Sequence, residues 1–414
     1  MLSSLLPAPK RATLLAGALA AVTLAHSADA MFRFDCHNNL VVDRVDPITS
    51  PGTESMHLHA ISGGNGFSWN ADYEAMREKS TCTSCPIGAD LSAYWVPQLY
   101  VKYKNGTGFG LVESHQIVYY QPRGSKNEEI IAFPPGLKML AGDPDLRTGS
   151  NKIEQRAVTW QCINYKDPVP EQQGFPSVKC PQGLRGQVNF PMCWNGKDLD
   201  SPDHKSHVAY AENLDSGKCP TGYKKMVKIF YEAFYSVDKY DSEWVDDKHP
   251  FVLSNGDTTG YSFHGDFLNG WDVDVLQAAI DKCSDKNYFN PAECPPLAPT
   301  YSSKPPATRC TLQPQVKEET HNIRKLPGNN PVGVAPAPSV SGGDDDGDDN
   351  ESGNEYNSDT PKPTATTKPA ATTTSKPAAT TAKPAATELA KSDKPVKCGV
   401  KAPKTITPSS VSGY

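Results

Sequence analysis

Past its first thirty residues the sequence has no apolar run long enough to cross a membrane as a helix, which takes about 20 consecutive apolar residues. It has no basic excess either. Lys and Arg number 41 against 47 Asp and Glu, a formal net charge of −6. That excludes a general nucleic-acid binder, which needs a basic stripe to neutralise phosphates. There is a single Cys-x-x-Cys, Cys82 to Cys85, with no second pair to complete a zinc site. No strand–helix–strand pattern surrounds it, as a redox pair of the thioredoxin kind would require. The residues Ser409 to Tyr414 lack the hydrophobic tail that signals a lipid anchor.

What is present begins with an export signal. Lys10 and Arg11 give a positive end, Ala12 to Ala25 an almost wholly apolar or small run, and Ala28-Asp29-Ala30 a small-x-small cleavage site. Residues 1–30 are therefore expected to be a signal peptide, with Met31 first in a secreted, extracellular or cell-wall-associated protein. Ten cysteines follow in residues 31–310: Cys36, Cys82, Cys85, Cys162, Cys180, Cys193, Cys219, Cys283, Cys294 and Cys310. An even set in an exported domain reads as disulfides, with the pairing left open by spacing. Cys398 is left over, either free or intermolecular.

Short runs rich in aromatic and β-branched residues recur between Gly, Pro, Asn and Asp clusters. Ala93–Val96, Gln98–Val101, Ile117–Tyr120, Ala157–Trp160, Val188–Phe190 and Met226–Val237 are examples. They predict a mainly β single domain over residues 31–310, a β-sandwich or jelly-roll-like fold with one or few short helices. One helix is expected after Asp272, which can cap it, with Val275, Leu276, Ala279 and Ile280 on one face. Residues 311–414 form a Pro/Thr/Lys/Ala-rich tail. It has acidic runs at 344–349 and near-copies of Lys-Pro-Ala-Ala-Thr from Lys368, Lys376 and Lys383. Such a composition buries too little apolar area to offset its ordering entropy, so disorder is expected, with O-glycosylation as a stalk. Asn105 and Asn350 stand in N-glycosylation patterns.

Three segments concentrate His and Asp. In Ser55-Met56-His57-Leu58-His59, an extended backbone puts both imidazoles on one face. Asp198 to His207 holds Asp200, Asp203, His204 and His207 around Pro202, which favours a turn. Asn255 to Asp272 holds Asp257, His264, Asp266 and Trp271, with His264 and Asp266 sharing a face if extended. Five of the ten histidines lie in these segments, and a common cleft is expected. Its metal candidates are His57, His59, His207 and His264, for a divalent ion such as zinc, copper or iron. Asp203 and Asp266 are the candidate catalytic carboxyls, one as general acid. His204, Asp257, Trp271 and Asp272 are candidates to bind substrate.

Several stretches resemble a known family. These are Val45-Asp46-Pro47-Ile48, His57-Leu58-His59, Ser92-Ala93-Tyr94-Trp95, Phe133-Pro134-Pro135-Gly136 to Gly142-Asp143-Pro144, Cys193-Trp194 through Tyr210, and Ser254 through Asp272. Over about residues 32–285 the chain resembles the fungal secreted family known as domain of unknown function nineteen ninety-six. The resemblance implies export and, since some members carry sugar-binding modules, a cell-wall setting. It carries over no catalytic residue. Three functions stay open: binding or hydrolysis of cell-wall or plant polysaccharide, an extracellular metal site, and a non-catalytic structural or surface-interaction role.

Overall fold

In a computed structural model the described residues are 31–124, 128–302 and 310–333. The expected signal peptide, Cys398, Asn350 and the repeats of the tail lie outside them.

The fold is mainly β, as its short alternating runs predict. Six strands form one sheet in the order Asn287–Tyr288, Met31–Cys36, Ser114–Gln121, Lys228–Tyr235, Leu184–Asn189 and Val158–Cys162. Only its first pair is parallel. Five more form an antiparallel sheet in the order Val41–Asp43, His59–Gly63, Ala93–Pro97, His264–Leu268 and Lys138–Gly142. Two three-stranded sheets flank these. The large sheets face each other across the main core. Phe32 and Phe34 from one and Tyr94, Val96 and Phe267 from the other are buried in it. Hydrogen bonds cross the interface where polar atoms would otherwise be stranded: Gln116 Nε2 donates to Ala60 O at 3.1 Å and Tyr231 OH to Asp266 O at 3.0 Å.

The five-stranded sheet is covered on its other face too. Leu40, Val45, Ile48, Ile61, Phe67, Met76, Trp95 and Leu268 form a second core there. Every residue of His59–Gly63, Ala93–Pro97 and His264–Leu268 is consequently buried. The polar side chains on the outer face of these strands therefore have no water to turn to. That face holds His59, His264 and Asp266, since they alternate with Ala60, Gly265 and Phe267, which point into the main core.

The expected helix is Val273–Lys282. Asp272 caps it by accepting from Val275 N, with Leu276, Ala279 and Ile280 buried. Two further helices, Tyr73–Lys79 and Ile153–Arg156, have too few apolar repeats to stand out in the sequence. All ten cysteines of the body pair: Cys36–Cys85, Cys82–Cys310, Cys162–Cys180, Cys193–Cys219 and Cys283–Cys294. Cys82 and Cys85 thus serve two different bridges and form neither a redox pair nor half a zinc site.

The boundary expected at Cys310 falls short of the packed chain. Gln315 N and Val316 N donate to Asp43, and Arg44 Nε pairs with Glu318 at 2.6 Å. Ile323 bridges Phe109, and Leu326 is buried with Leu58 and Tyr100. Asn330 Nδ2 reaches Met56 O, Ser254 O and Pro327 O at 2.8–3.0 Å. The apolar residues in this stretch are too sparse to read as an element. They pack because they are laid against an existing surface.

Candidate metal centre

The outer face of the five-stranded sheet brings together three imidazoles from distant parts of the chain. His59 opens one strand and His264 opens another, with Ala93–Pro97 between them. His57 lies just before its strand. The rings sit edge to face, with centroids 4.5, 5.0 and 6.0 Å apart and interplanar angles of 62°, 90° and 84°. One ligand-capable atom from each of His57, His59 and His264 lies within 4.8 Å of the other two. The same holds for the set Asp46, His59 and Asp266. His59 belongs to both sets.

Hydrogen bonds fix the tautomers. A carbonyl only accepts, so His59 Nδ1 donates to Val45 O at 3.2 Å and His264 Nδ1 donates to Ser262 O at 2.7 Å. Each neutral ring then carries its lone pair on Nε2. His264 Nε2 lies 3.1 Å from His57 Nε2, and His59 Nε2 is buried with no partner. Two ligands held about 2.0–2.1 Å from one tetrahedral ion stand roughly 3.3 Å apart, so the His57–His264 spacing is close to that of a liganded pair. A ring whose outer N–H is bonded to a carbonyl and whose inner nitrogen is free is the arrangement that orients metal-binding histidines.

Asp266 completes the cluster. Its carboxyl is fully buried, neither oxygen has a hydrogen-bond partner, and Oδ2 lies 3.9 Å from His264 Nε2. A buried polar atom left unpaired costs about 1–3 kcal/mol, and a buried bare charge several times more. Burial, and after it the negative charge of Asp46, push the Asp266 carboxyl well above the usual range, with Lys205 opposing. The imidazoles move the other way. Burial, followed by the charges of His59 and His264 and then Arg147, holds His57 far below the ordinary value. Burial, with His59 next, lowers His264 to about 3. Burial lowers His59 as well, against the opposing pull of Asp46. All three are thus neutral bases, the state in which imidazole binds metal.

Asp46 is partly committed already. Its Oδ1 accepts from Ile48 N and Thr49 N, and Oδ2 from Thr49 Oγ1 at 2.6 Å. Sequence reasoning missed it as a site residue. The available signal was Asp46-Pro47 opening a turn that runs toward the His pair.

The other expected residues lie elsewhere. His207 has both nitrogens engaged: Nε2 donates to Lys138 O at 2.7 Å, and Nδ1 lies 2.9 Å from Ser201 Oγ. It has no lone pair left for an ion and does not join the three imidazoles. His204 pairs with Asp200 at 2.8 Å. Asp203 Oδ1 accepts from Lys205 N, Ser206 N, and the hydroxyls of Ser201 and Ser206. Those donors, the Ser206 N–H foremost, hold its carboxyl far below the ordinary range. Asp257 braces its loop by accepting from the backbone and hydroxyls of Thr259 and Ser262. Trp271 is fully buried and donates to Tyr120 OH at 2.7 Å, so its ring has no free face for a sugar. Asp272 caps its helix. The expected common cleft therefore divides in two. His57, His59 and His264 form the cluster, with Asp266 beside His59 and His264, whereas Asp203 lines a separate cavity of about 470 Å³ bordered by Leu140, Ala141 and Gly142.

The two share a wall. Gly142 lines the cavity and pairs with His264 in the sheet. At a φ of +93°, a Cβ on residue 142 would lie 2.9 Å from His264 Cβ, so only glycine fits there.

A family model, described as Domain of unknown function (DUF1996), matches residues 46–271. The chain belongs to this family. The DUF1996 segment begins at Asp46 and takes in every residue of the cluster. No curated protein and no solved structure matches the chain.

Proposed function

We propose that this DUF1996 protein is an extracellular metal-binding protein that holds one divalent transition metal through His57, His59, His264 and Asp266. The observation that carries the reading is the pair of rings, His59 and His264, that spend Nδ1–H on backbone carbonyls and leave Nε2 lone pairs beside a carboxyl with no partner of its own: that of His59 is unpartnered and that of His264 faces His57 Nε2. Three nitrogens and one carboxylate oxygen suit zinc, copper or iron. They do not suit calcium or magnesium, which take oxygen ligands. A cation there replaces the proton on Asp266 and removes the cost of its stranded oxygens.

The site is closed. His57 is 7% exposed, and the other three residues are at most 2% exposed. Four protein ligands with little solvent access favour a tightly held ion over one that meets a bulky substrate. The five bridges and the absence of a membrane-length helix among the described residues agree with an exported protein. Hydrolysis by an Asp203–Asp266 pair is less well supported, because Asp266 is buried in the cluster and does not line the cavity that holds Asp203.

Elemental analysis of the purified secreted protein tests the reading. About one equivalent of zinc, copper or iron, absent in His264→Ala, is expected. Metal-free protein whose thermal midpoint is unmoved by adding any of the three ions removes it.

A further inference from the structure

The cavity behind Gly142 has a chemistry of its own. Its volume of about 470 Å³ lies within the range of small-ligand sites, about 300–1,000 Å³. It opens to solvent along a rim that includes the exposed Thr148, Lys152, Asp203 and Ser206.

Two half-buried tyrosines form walls, and both are fixed. Tyr210 OH donates to Asn189 O at 2.8 Å. The ring of Tyr261 is held against two glycines of the lining. A Cβ on Gly149 would come within 2.8 Å of a Tyr261 ring carbon, and one on Gly174 within 3.0 Å. Rigid aromatic faces flanked by hydroxyl, amide and carboxylate groups match a ligand that is apolar on its ring faces and hydroxylated at its edges, which describes a pyranose.

Lys205 narrows the class. It is half-buried and lines the cavity, and its ammonium makes no hydrogen bond or close ion pair among the described residues, though its charge is felt at Asp266 and His264. The nearest acid in sequence, Asp203, has spent Oδ1 on the loop backbone and hydroxyls. A cation with no hydrogen-bonded counter-charge has its donors free for an anionic ligand group. Asp143, Glu154 and Asp203 also line the cavity. Their charges repel a densely anionic ligand such as a phosphate or a nucleic acid, but tolerate one carboxylate per sugar and accept hydrogen bonds from hydroxyls.

We propose that this cavity binds a uronic-acid-containing glycan, with Tyr210 and Tyr261 against the sugar ring and Lys205 on its carboxylate. The proposal does not rest on metal binding, although the charge of Lys205 is felt at Asp266 and His264.

Isothermal titration of the full-length secreted protein with a short oligogalacturonate tests it. The comparison ligands are the same oligomer methyl-esterified and a neutral β-glucan oligomer of equal length. Binding of the free acid should be at least tenfold tighter than of either comparison ligand. Lys205→Met should remove that preference, Lys205→Arg should retain most of it, and Tyr261→Ala should weaken all carbohydrate binding. Equal affinity for acid and ester, no binding of the acid, or a Lys205→Met protein that still prefers the acid would each overturn it. Repeating the titration after chelation and measuring metal content in each variant separates this outcome from that of the metal site.

Discussion

The loop Asp198–His207 and the cluster of His57, His59, His264 and Asp266 are made of the same two residue types, yet they treat their polar atoms in opposite ways. In the loop, His204 meets Asp200, His207 has a partner on each ring nitrogen, and one oxygen of Asp203 takes four donors. In the cluster, His59 Nε2 and both oxygens of Asp266 have none. The loop uses its side chains to hold an irregular backbone, including His204 at a φ of +55°. His59, His264 and Asp266 sit on regular strands whose backbone is already paired, so their side chains are left over. Residue type alone does not separate a brace from a ligand site. The count of bonds left unmade does.

The widest separation between the two should come from removing a ligand. His59→Ala or His264→Ala is expected to weaken binding of added zinc or copper about a thousandfold or more, beyond the 10–100-fold that outer partners of ligands typically carry. His204→Ala should leave it unchanged. Competition against a chromophoric chelator measures both, and equal losses would erase the distinction.

Asp90 sharpens the comparison, being as buried as Asp266 but partnered by Tyr94 OH and Ser92 N. Burial raises its pKa to about 6, against the lowering effect of those hydrogen bonds. The folded state therefore holds this proton more tightly than the unfolded chain does. The group favours folding below about pH 4, and that advantage is lost as pH rises to about 6, a change on the order of 3 kcal/mol. Asp90→Asn should flatten this part of the stability–pH curve in urea titrations at pH 4, 5 and 6. An unchanged slope would mean that Asp90 titrates normally.

Chelation should act on the cluster alone. At an ion concentration 100 times Kd, bound metal contributes about 2.7 kcal/mol of stability, so a chelator should lower the thermal midpoint of wild type and leave that of His264→Ala where it was. The smallest effect belongs to the loop. Asp203→Ala should cost about 1 kcal/mol through lost loop hydrogen bonds, without touching metal content. Because those bonds depress its pKa, Asp203 contributes fully above the ordinary carboxylate range and loses that contribution only as pH falls below it. The Asp203→Ala deficit should therefore persist at pH 5 and shrink only in strong acid.

Much of this was legible in the chain. Tyr94, Trp95 and Val96 are buried on a strand as their composition predicts, and Asp272 caps the helix whose apolar face was visible in the spacing. The alternation also placed His264 and Asp266 on one face correctly. What spacing cannot give is which strands become neighbours. Residues 59 and 264 meet only because both strands flank Ala93–Pro97, a matter of long-range register. The same limit hid Asp46, which reaches the cluster through a turn, and the anchoring of His207 to a carbonyl 69 residues away. Trp271 misled for a different reason. An aromatic in a polar stretch resembles a binding residue, but its indole N–H finds Tyr120 in the core.

The segment after Cys310 bears on the order in which the molecule is made. Asn330 ties the carbonyl of Met56, beside the first metal candidate, to that of Ser254, ahead of the last. Gly256 leaves room for Pro331 O where any Cβ would stand 2.0 Å away. On a ribosome, residue 330 emerges 274 residues after Met56 and 76 after Ser254. A nascent chain therefore makes both loops before the clasp that joins them, and His57 and His264 are both in the chain before that clasp can form.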